Sequence, residues 1–339
     1  MVNNREFEFS KKEDNNAMTT TTWSIGRSEL KDHILARLGY KRMNHRVAPG
    51  LYSIGHPGPE SPVFVTANYT LSFDSLRSSL INVDGYILVL DTGGVNVWCA
   101  AGKGTFSTTE LVDRIAAVKL ETVVSHKTLI LPQLSAPGVN AFEVQKRSGF
   151  KVEYGPVRAK DVPEFLRIGK ATPEMRQVRF DLVDRLALIL VELTHLALPL
   201  AVVAVIFGLI GGYLSAGAVA VAVLSGVVLF PILLPWLPTK DFSSKGFILG
   251  ILTALPFVVL TLIGNGNASI WLRLANALTF ELLMPPVTAY IALNFTGSTT
   301  FTSRSGVKRE IFRYIPVIAS SLVLGTILLV VIIIIHYVR

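Results

Sequence analysis

Cys99 is the only cysteine in a chain of 339 residues, so by itself it can form neither an internal disulfide nor a cysteine-ligated zinc or iron–sulfur site. A lone thiol keeps two chemical uses: it can be a nucleophile, or a single soft ligand to a metal carried by something else. Its surroundings, Asn96-Val97-Trp98-Cys99-Ala100-Ala101-Gly102-Lys103, follow an apolar run and the pair Gly93-Gly94. Asn96 is a good helix N-cap and Gly102 a good residue just past a helix end, which predicts a short helix over 96–103 with Cys99 in its first turn. Free N–H groups and the helix dipole there favour thiolate over thiol. Lys103, and Lys119 if it folds nearby, would add positive potential. The plain alternative is a small apolar side chain in a packed helix.

The elements that must position this segment alternate in type. Helices are predicted at 27–38, at 73–80, from the capping box Ser107-Thr108-Thr109-Glu110 to about Leu120, and at 139–148. Strands are predicted at Val63–Thr66, Tyr86–Asp91, 121–124, Thr128–Leu131 and 150–153. Several strands are continuous apolar runs, which points to a mainly parallel α/β sheet covered on both faces. Such sheets bind ligands at the carboxyl ends of their strands. Here those ends carry Thr66-Ala67-Asn68-Tyr69, Asp91-Thr92-Gly93-Gly94 and Leu131-Pro132-Gln133-Leu134-Ser135-Ala136-Pro137-Gly138. These small, polar or turn-forming segments suit a broad flat ligand. Taken singly, a Gly-Gly pair is usually only a turn and Asp91 after a strand often only a cap.

Half of the residues are hydrophobic and the mean hydropathy is +0.49, high for a water-soluble chain of this length. The excess lies beyond about residue 186. A bilayer core needs roughly 20 apolar residues per helix. Five spans are expected, near 196–212, 215–236, 247–263, 274–293 and 315–336. Lys240, Lys245, Arg304, Lys308, Arg309 and Arg313 fall on one side of them, Arg273 and Arg339 on the other. The positive-inside rule then puts the N-terminal half in the cytoplasm, with the spans in the cell's cytoplasmic membrane. The net charge of +8 is largely explained by these loops and calls for no nucleic-acid partner. The expected organisation is a disordered tail at 1–24, an α/β domain at 25–170, a linker helix at 171–195 and a transmembrane domain at 196–339. In the linker, Met175, Val178, Leu182, Leu186, Ile189 and Leu193 recur at helical spacing. That fits an amphipathic helix on the membrane surface, or equally an extension of the first span.

Other residues compete for a role. Trp98 wedges the short helix or is ordinary core. His126, taken to follow a strand, could ligate a metal in place of Cys99, although a histidine at a strand end is more often a hydrogen-bonded rim residue. Glu192 and His195 sit at the membrane boundary, where snorkelling explains them. Glu281 lies deeper, before Pro285 and Pro286, and is the better candidate for a polar site among the spans. No Ser/His/Asp triad, phosphate loop or carboxylate pair is apparent.

Residues 48–166 resemble the corrinoid-binding portion of the corrinoid iron–sulfur protein of the acetyl-CoA pathway. They are most similar to the HgcA family, the membrane-bound corrinoid subunits of the microbial mercury-methylation system. The resemblance rests on Ala48-Pro49-Gly50-Leu51-Tyr52-Ser53-Ile54-Gly55, Ser61-Pro62-Val63-Phe64-Val65-Thr66-Ala67-Asn68-Tyr69, Leu131-Pro132-Gln133-Leu134 and Tyr154-Gly155-Pro156-Val157-Arg158-Ala159-Lys160-Asp161. It rests above all on the octet Asn96–Lys103, which sets that family apart from its soluble relatives. Asn294–Ser303 resembles the polar segment before the family's last span. The four-cysteine cluster motif of the soluble relatives is missing here.

The resemblance implies a Rossmann-like α/β domain that holds a cobalamin-type corrinoid, base-off, followed by an all-α transmembrane domain. Cys99 would face cobalt from the lower side. The cofactor would lie against Thr66, Asn68, Tyr69, Asp91, Thr92, Gly93, the octet, Gln133, Leu134, Ala136 and Gly138. A thiolate is a strong electron donor, and opposite a methyl group it favours release of that methyl as a carbanion or radical equivalent to a soft acceptor such as Hg(II). The implied partners are a methylated folate or another corrinoid protein as methyl donor, and a ferredoxin-like protein with two [4Fe–4S] clusters, of the HgcB type, as electron donor. Rival readings are a corrinoid protein with another methyl acceptor, a transporter driven by corrinoid chemistry, and a membrane sensor whose Cys99 binds soft metals. The nearly uncharged spans disfavour the transporter, and the corrinoid-like segments disfavour the sensor.

Overall fold

Strands Val63–Ala67 and Gly85–Leu90 are buried at every position, so each needs cover on both faces. The computed structural model, which describes residues 18–41, 44–264, 269–299 and 302–338, supplies it. The chain forms two compact units. One comprises residues up to Ala36 and 40–178; the other comprises Arg37–Gly39 and residues from Arg179 onward.

The first unit is a six-stranded sheet of β1 (Thr19–Thr21), β2 (Gly50–Ile54), β3 (Val63–Ala67), β4 (Gly85–Leu90), β5 (Thr128–Leu131) and β6 (Lys151–Tyr154). Its spatial order is β1-β2-β4-β3-β5-β6. The run β4-β3-β5-β6 is parallel, whereas β2 is antiparallel to β4. Alternation along β3 sends Val63, Val65 and Ala67 to a face covered by α3 (Val97–Lys103), α4 (Thr108–Ala117) and α5 (Ala141–Ser148). Phe64 goes to the opposite face, where Phe73 and Leu76 of α2 (Thr70–Ser79) and Val162 of α6 (Val162–Ile168) pack. Helix α1 (Arg27–Arg37) precedes β2.

Three expectations are corrected in this unit. Residues 121–124 are not a strand: α4 is closed by Lys119 at φ +48, and Leu120–Thr122 is a 3₁₀ turn whose Leu120 is fully buried. Residues 18–24, expected within the disordered tail, belong to the unit. There β1 pairs with β2, and Thr22 and Ser24 offer their carbonyls to Arg77. The rest of that tail lies outside the described residues. Gly102 is inside α3, and the residue that ends it in the left-handed conformation is Gly104, at φ +83.

The second unit is helical. Its candidate membrane spans, by length and composition, lie in α7 (Leu182–Leu233), α8 (Phe242–Ile263), α9 (Ile270–Phe295) and the last helix, α10 (Arg304–Val338). Among the described residues four continuous helices qualify, and the first, α7, runs 52 residues through the stretch that the sequence divides into two spans. Straight, it would be about 78 Å long, more than twice a hydrocarbon core of about 30 Å. It is not straight: Gly212 adopts φ +74, ψ −175, a conformation open essentially to glycine alone. A Cβ on Gly208 would lie 3.3 Å from that of Ala216, where eight residues of straight helix would separate them by about 12 Å. The chain therefore reverses at Gly212.

The linker helix expected at 171–195 starts later and runs on as an extension of the first span, the second of its two readings. Residues 173–181 are not helical, and α7 starts at Leu182 behind an Asp181–Asp184 capping box, then continues unbroken past His195. Phe180, at φ +49, cannot lie within a right-handed helix, so α7 cannot extend back through it.

Candidate functional site

The carboxyl end of β3 delivers Asn68, 1% exposed, to the middle of the sheet's rim. Its Oδ1 accepts hydrogen bonds from the Thr92 N–H (3.1 Å), the Thr92 hydroxyl (2.9 Å) and the Gly94 N–H (2.9 Å), and its Nδ2 donates to Asp91 Oδ1 (3.1 Å). One buried carboxamide thus fixes the whole turn after β4. Asp91 Oδ1 accepts the Gly93 N–H as well, and Glu110 Oε1 accepts the Asp91 N–H at 2.8 Å. Gly93 and Gly94 both have positive φ, +66 and +73, which this turn requires before the chain can enter α3.

Helix α3 begins where expected, at the N-cap Asn96, whose Oδ1 accepts the Cys99 N–H at 2.9 Å. Val97, Ala100 and Ala101 point into the core; Trp98 and Cys99 are half-buried, and Gly102 and Lys103 are exposed. The alanines matter because the chain after β5 comes up against them. A Cβ on Gly138 would meet the Phe106 carbonyl oxygen at 2.2 Å and the Ala101 Cα at 2.9 Å. Glycine at 138 and alanine at 101 together let α3 lie backbone to backbone on this loop. Cys99 is a free thiol whose backbone, not its sulfur, is engaged by Asn96. Among the described residues no group of three or more His, Cys, Asp or Glu could hold a metal ion. A metal acting here would have to arrive already chelated, with Cys99 as one further ligand.

Of the predicted contacts, the Asn68, Asp91–Gly93 and octet positions meet at the carboxyl ends of β3 and β4, and Gly138 reaches them by its approach to α3. Gln133 and Leu134 form a 3₁₀ turn after β5 with Ser135. Leu134 packs on the core beneath α3, and Ala136 is half-buried. Gln133 Oε1 accepts from Arg176 Nη1 at 2.9 Å, in a segment that also takes the Val157 N–H at the Met175 carbonyl (2.8 Å). Tyr69 is the half-buried N-cap residue of α2. Thr66 is 3% exposed and, by alternation, lies on the Phe64 face, away from α3.

His126 lies at the other end of the sheet. It precedes β5, and its ring nitrogens meet the Ser61 carbonyl (2.9 Å) and the Thr128 N–H (3.2 Å). The strand it was expected to follow does not exist, and both nitrogens are taken by backbone. Glu192 is half-buried and His195 exposed along α7, and Glu281 is half-buried midway along α9.

Sequence reasoning missed two contributors to the rim. Glu110 was read only as part of a capping box; Ser107 does cap α4, but the Glu110 carboxylate turns to Asp91 and Arg114. Arg176 gave no signal, being 43 residues from Gln133.

Residues 40–166 match the family model described as CO dehydrogenase/acetyl-CoA synthase delta subunit. The chain is 36% identical over 114 residues to the acetyl-CoA decarbonylase/synthase complex subunit gamma of Archaeoglobus fulgidus, a match covering 33% of this chain and 24% of that protein. Against the same subunit of Methanopyrus kandleri it is 34% identical over 127 residues, 37% of this chain and 27% of the relative. Against the corrinoid/iron-sulfur protein large subunit of Moorella thermoacetica it is 27% identical over 155 residues, 43% of this chain and 34% of the relative. The chain thus spans about a quarter to a third of the length of these relatives. The matched segment takes in β2 to β6, α3 and the rim built around Asn68. Residues 40–166 are accordingly a domain homologous to those of this family, here on a chain that also carries four helices long and apolar enough to cross a membrane.

Proposed function

We propose that the chain is a membrane-anchored, corrinoid-dependent methyltransferase that delivers a methyl group to inorganic Hg(II). The observation that carries the reading is a free, half-buried Cys99 on a short helix held above the strand ends of a domain homologous to a corrinoid/iron–sulfur protein subunit. What supports a broad flat cofactor here is open space where a Cβ on Gly93 would stand, and an α3 that turns Val97, Ala100 and Ala101 into the core while Cys99 is half-buried. When bound, base-off, the corrinoid supplies a cobalt centre able to carry a transferable methyl group. Cys99 would hold that cobalt through its sulfur and supply electron density to it. Asn96 holds the first turn of α3, and Asn68 holds the turn that leads into it. With a single cysteine, the chain cannot build an iron–sulfur cluster. Repeated turnover therefore draws low-potential electrons from a separate ferredoxin-like protein with two [4Fe–4S] clusters, of the HgcB type, and methyl groups from a methylated folate or a second corrinoid protein. In this reading the helical unit holds the domain at the cytoplasmic face of the cell's inner membrane.

The test is anaerobic purification of the full chain, an absorption spectrum, and a methylation assay with Hg(II), alongside Cys99→Ala. A corrinoid spectrum that changes in Cys99→Ala, with methylmercury formed only by the unsubstituted chain, is the expected result. Full activity of Cys99→Ala at equal protein level would remove the ligand role. A bound corrinoid with no methyl transfer to Hg(II) would point to another acceptor.

A further inference from the structure

Helix α1 is sorted by charge. Its two acids face the domain: Glu29 lies 3.8 Å from Arg77, and Asp32 is 2.6 Å from His45. His33 meets Asp74 at 2.6 Å on the same side, and Ala36 is buried. Its three bases, Arg27, Lys31 and Arg37, are all exposed, and with them two branched aliphatics, Leu30 at 56% and Ile34 at 53%. Steps of three and four residues put 27, 30, 31, 34 and 37 on one stripe. Single exposed aliphatics are ordinary, but a stripe of two set among three cations, with both acids turned inward, is the pattern of a helix lying in a lipid headgroup layer. Just beyond it, Tyr40 is 55% exposed with Lys41 Nζ 5.4 Å from its ring centre, a pairing of residue types common at that depth.

We propose that the outward face of α1 docks on anionic lipid headgroups. A lipid surface is the occupant that the chain itself brings within reach, since the same polypeptide carries four candidate membrane spans among the described residues. The charges match it: basic residues are drawn to an anionic leaflet, and no acid on the stripe opposes them. The proposal rests on membrane attachment and not on the corrinoid reading, so either can fail alone.

The test uses the full chain in lipid nanodiscs, in a Cys99→Ser background, with an environment-sensitive fluorophore on Ile34→Cys. A second protein carries it on Phe142→Cys, a position on α5 that is 74% exposed. In discs of phosphatidylcholine plus phosphatidylglycerol, doxyl lipids labelled near the headgroup should quench the Ile34 probe and spare the Phe142 probe. Pure phosphatidylcholine should abolish that quenching. So should 1 M salt, where the screening length is about 3 Å, and so should Arg27→Glu, Lys31→Glu and Arg37→Glu combined. The salt arm needs no charge substitution, so misfolding of the triple variant does not spoil the test. An unquenched Ile34 probe in anionic discs overturns the proposal. Equal quenching at both positions, or quenching indifferent to headgroup charge, overturns it too, because proximity through the tether alone would produce that. Shielding of Ile34 only when soluble protein is added would assign the face to a protein partner instead.

Discussion

Helix ends in the α/β unit and the facing ends of α7 and α8 in the helical unit are satisfied in contrasting ways. In the α/β unit, Asn96, Ser107 and Asn140 each accept an N–H three residues further on, at 2.9, 3.2 and 3.1 Å. Gly104 and Gly149 close α3 and α5 in the left-handed conformation. In the helical unit, the facing ends of α7 and α8 are capped from far along the chain. Glu310 of α10 accepts the Ser243 N–H at 2.5 Å across 67 residues, while the adjacent Asp241 makes no cap and accepts from Tyr314 instead. Arg185 donates to the Pro231 and Ile232 carbonyls across 46 and 47 residues, and Lys245 to the Leu234 carbonyl. Glu310 and Arg185 are 6% and 7% exposed, a costly state for a lone ion. Each lies at a helix end of opposite partial charge. Where water reaches a helix end, a short polar neighbour suffices; where it does not, a full charge of the right sign is brought in from elsewhere along the chain.

That contrast can be broken by substitution. The largest effect is expected for Glu310→Ala, which strands a buried N–H and should cost about 1.5–3 kcal/mol in the reversible unfolding of the full chain in detergent. Glu310→Gln, which keeps an acceptor, should recover most of it; a silent Glu310→Ala would mean the cap from α10 does not hold α8. Gly138→Ala probes the α/β unit where backbone meets backbone and not at a cap, and overpacking there should cost about 1–3 kcal/mol, read as a lower urea midpoint and loss of any bound corrinoid. Asn96→Ala removes a local cap for about 1 kcal/mol and should raise amide exchange in α3 alone, leaving α8 unchanged. If exchange rises in both units, their caps are not independent.

The smallest effect concerns pH. Burial pushes the Tyr154 hydroxyl above the ordinary 10.0. Its contribution to stability is therefore complete below pH 10 and lost as pH climbs through the raised folded value. Tyr154→Phe should make the alkaline limb of a stability profile shallower above pH 10, without flattening it, since burial also raises Tyr52. An unaltered limb would assign the alkaline loss to other groups.

What neighbouring residues can settle was legible before folding. The split between a charged half and an apolar half, the start of α3 at Asn96, the cap at Ser107 and the buried runs of β3 and β4 all depend on contacts or periodicity within a few positions. The break in the first long apolar run could be read from Gly211-Gly212, because only glycine relieves the backbone conformation found at 212. The remainder depends on partners that meet only in the folded chain. Asn68 serves a turn 24–26 residues away, and Gly138 is needed because Ala101 lies against it. Two ions find helix ends 46 and 67 residues distant, and β1 joins a sheet from a segment too polar to announce a strand. A buried polar group must be satisfied by whatever packing brings to it, and no local pattern encodes a partner that becomes a neighbour only after the chain has folded.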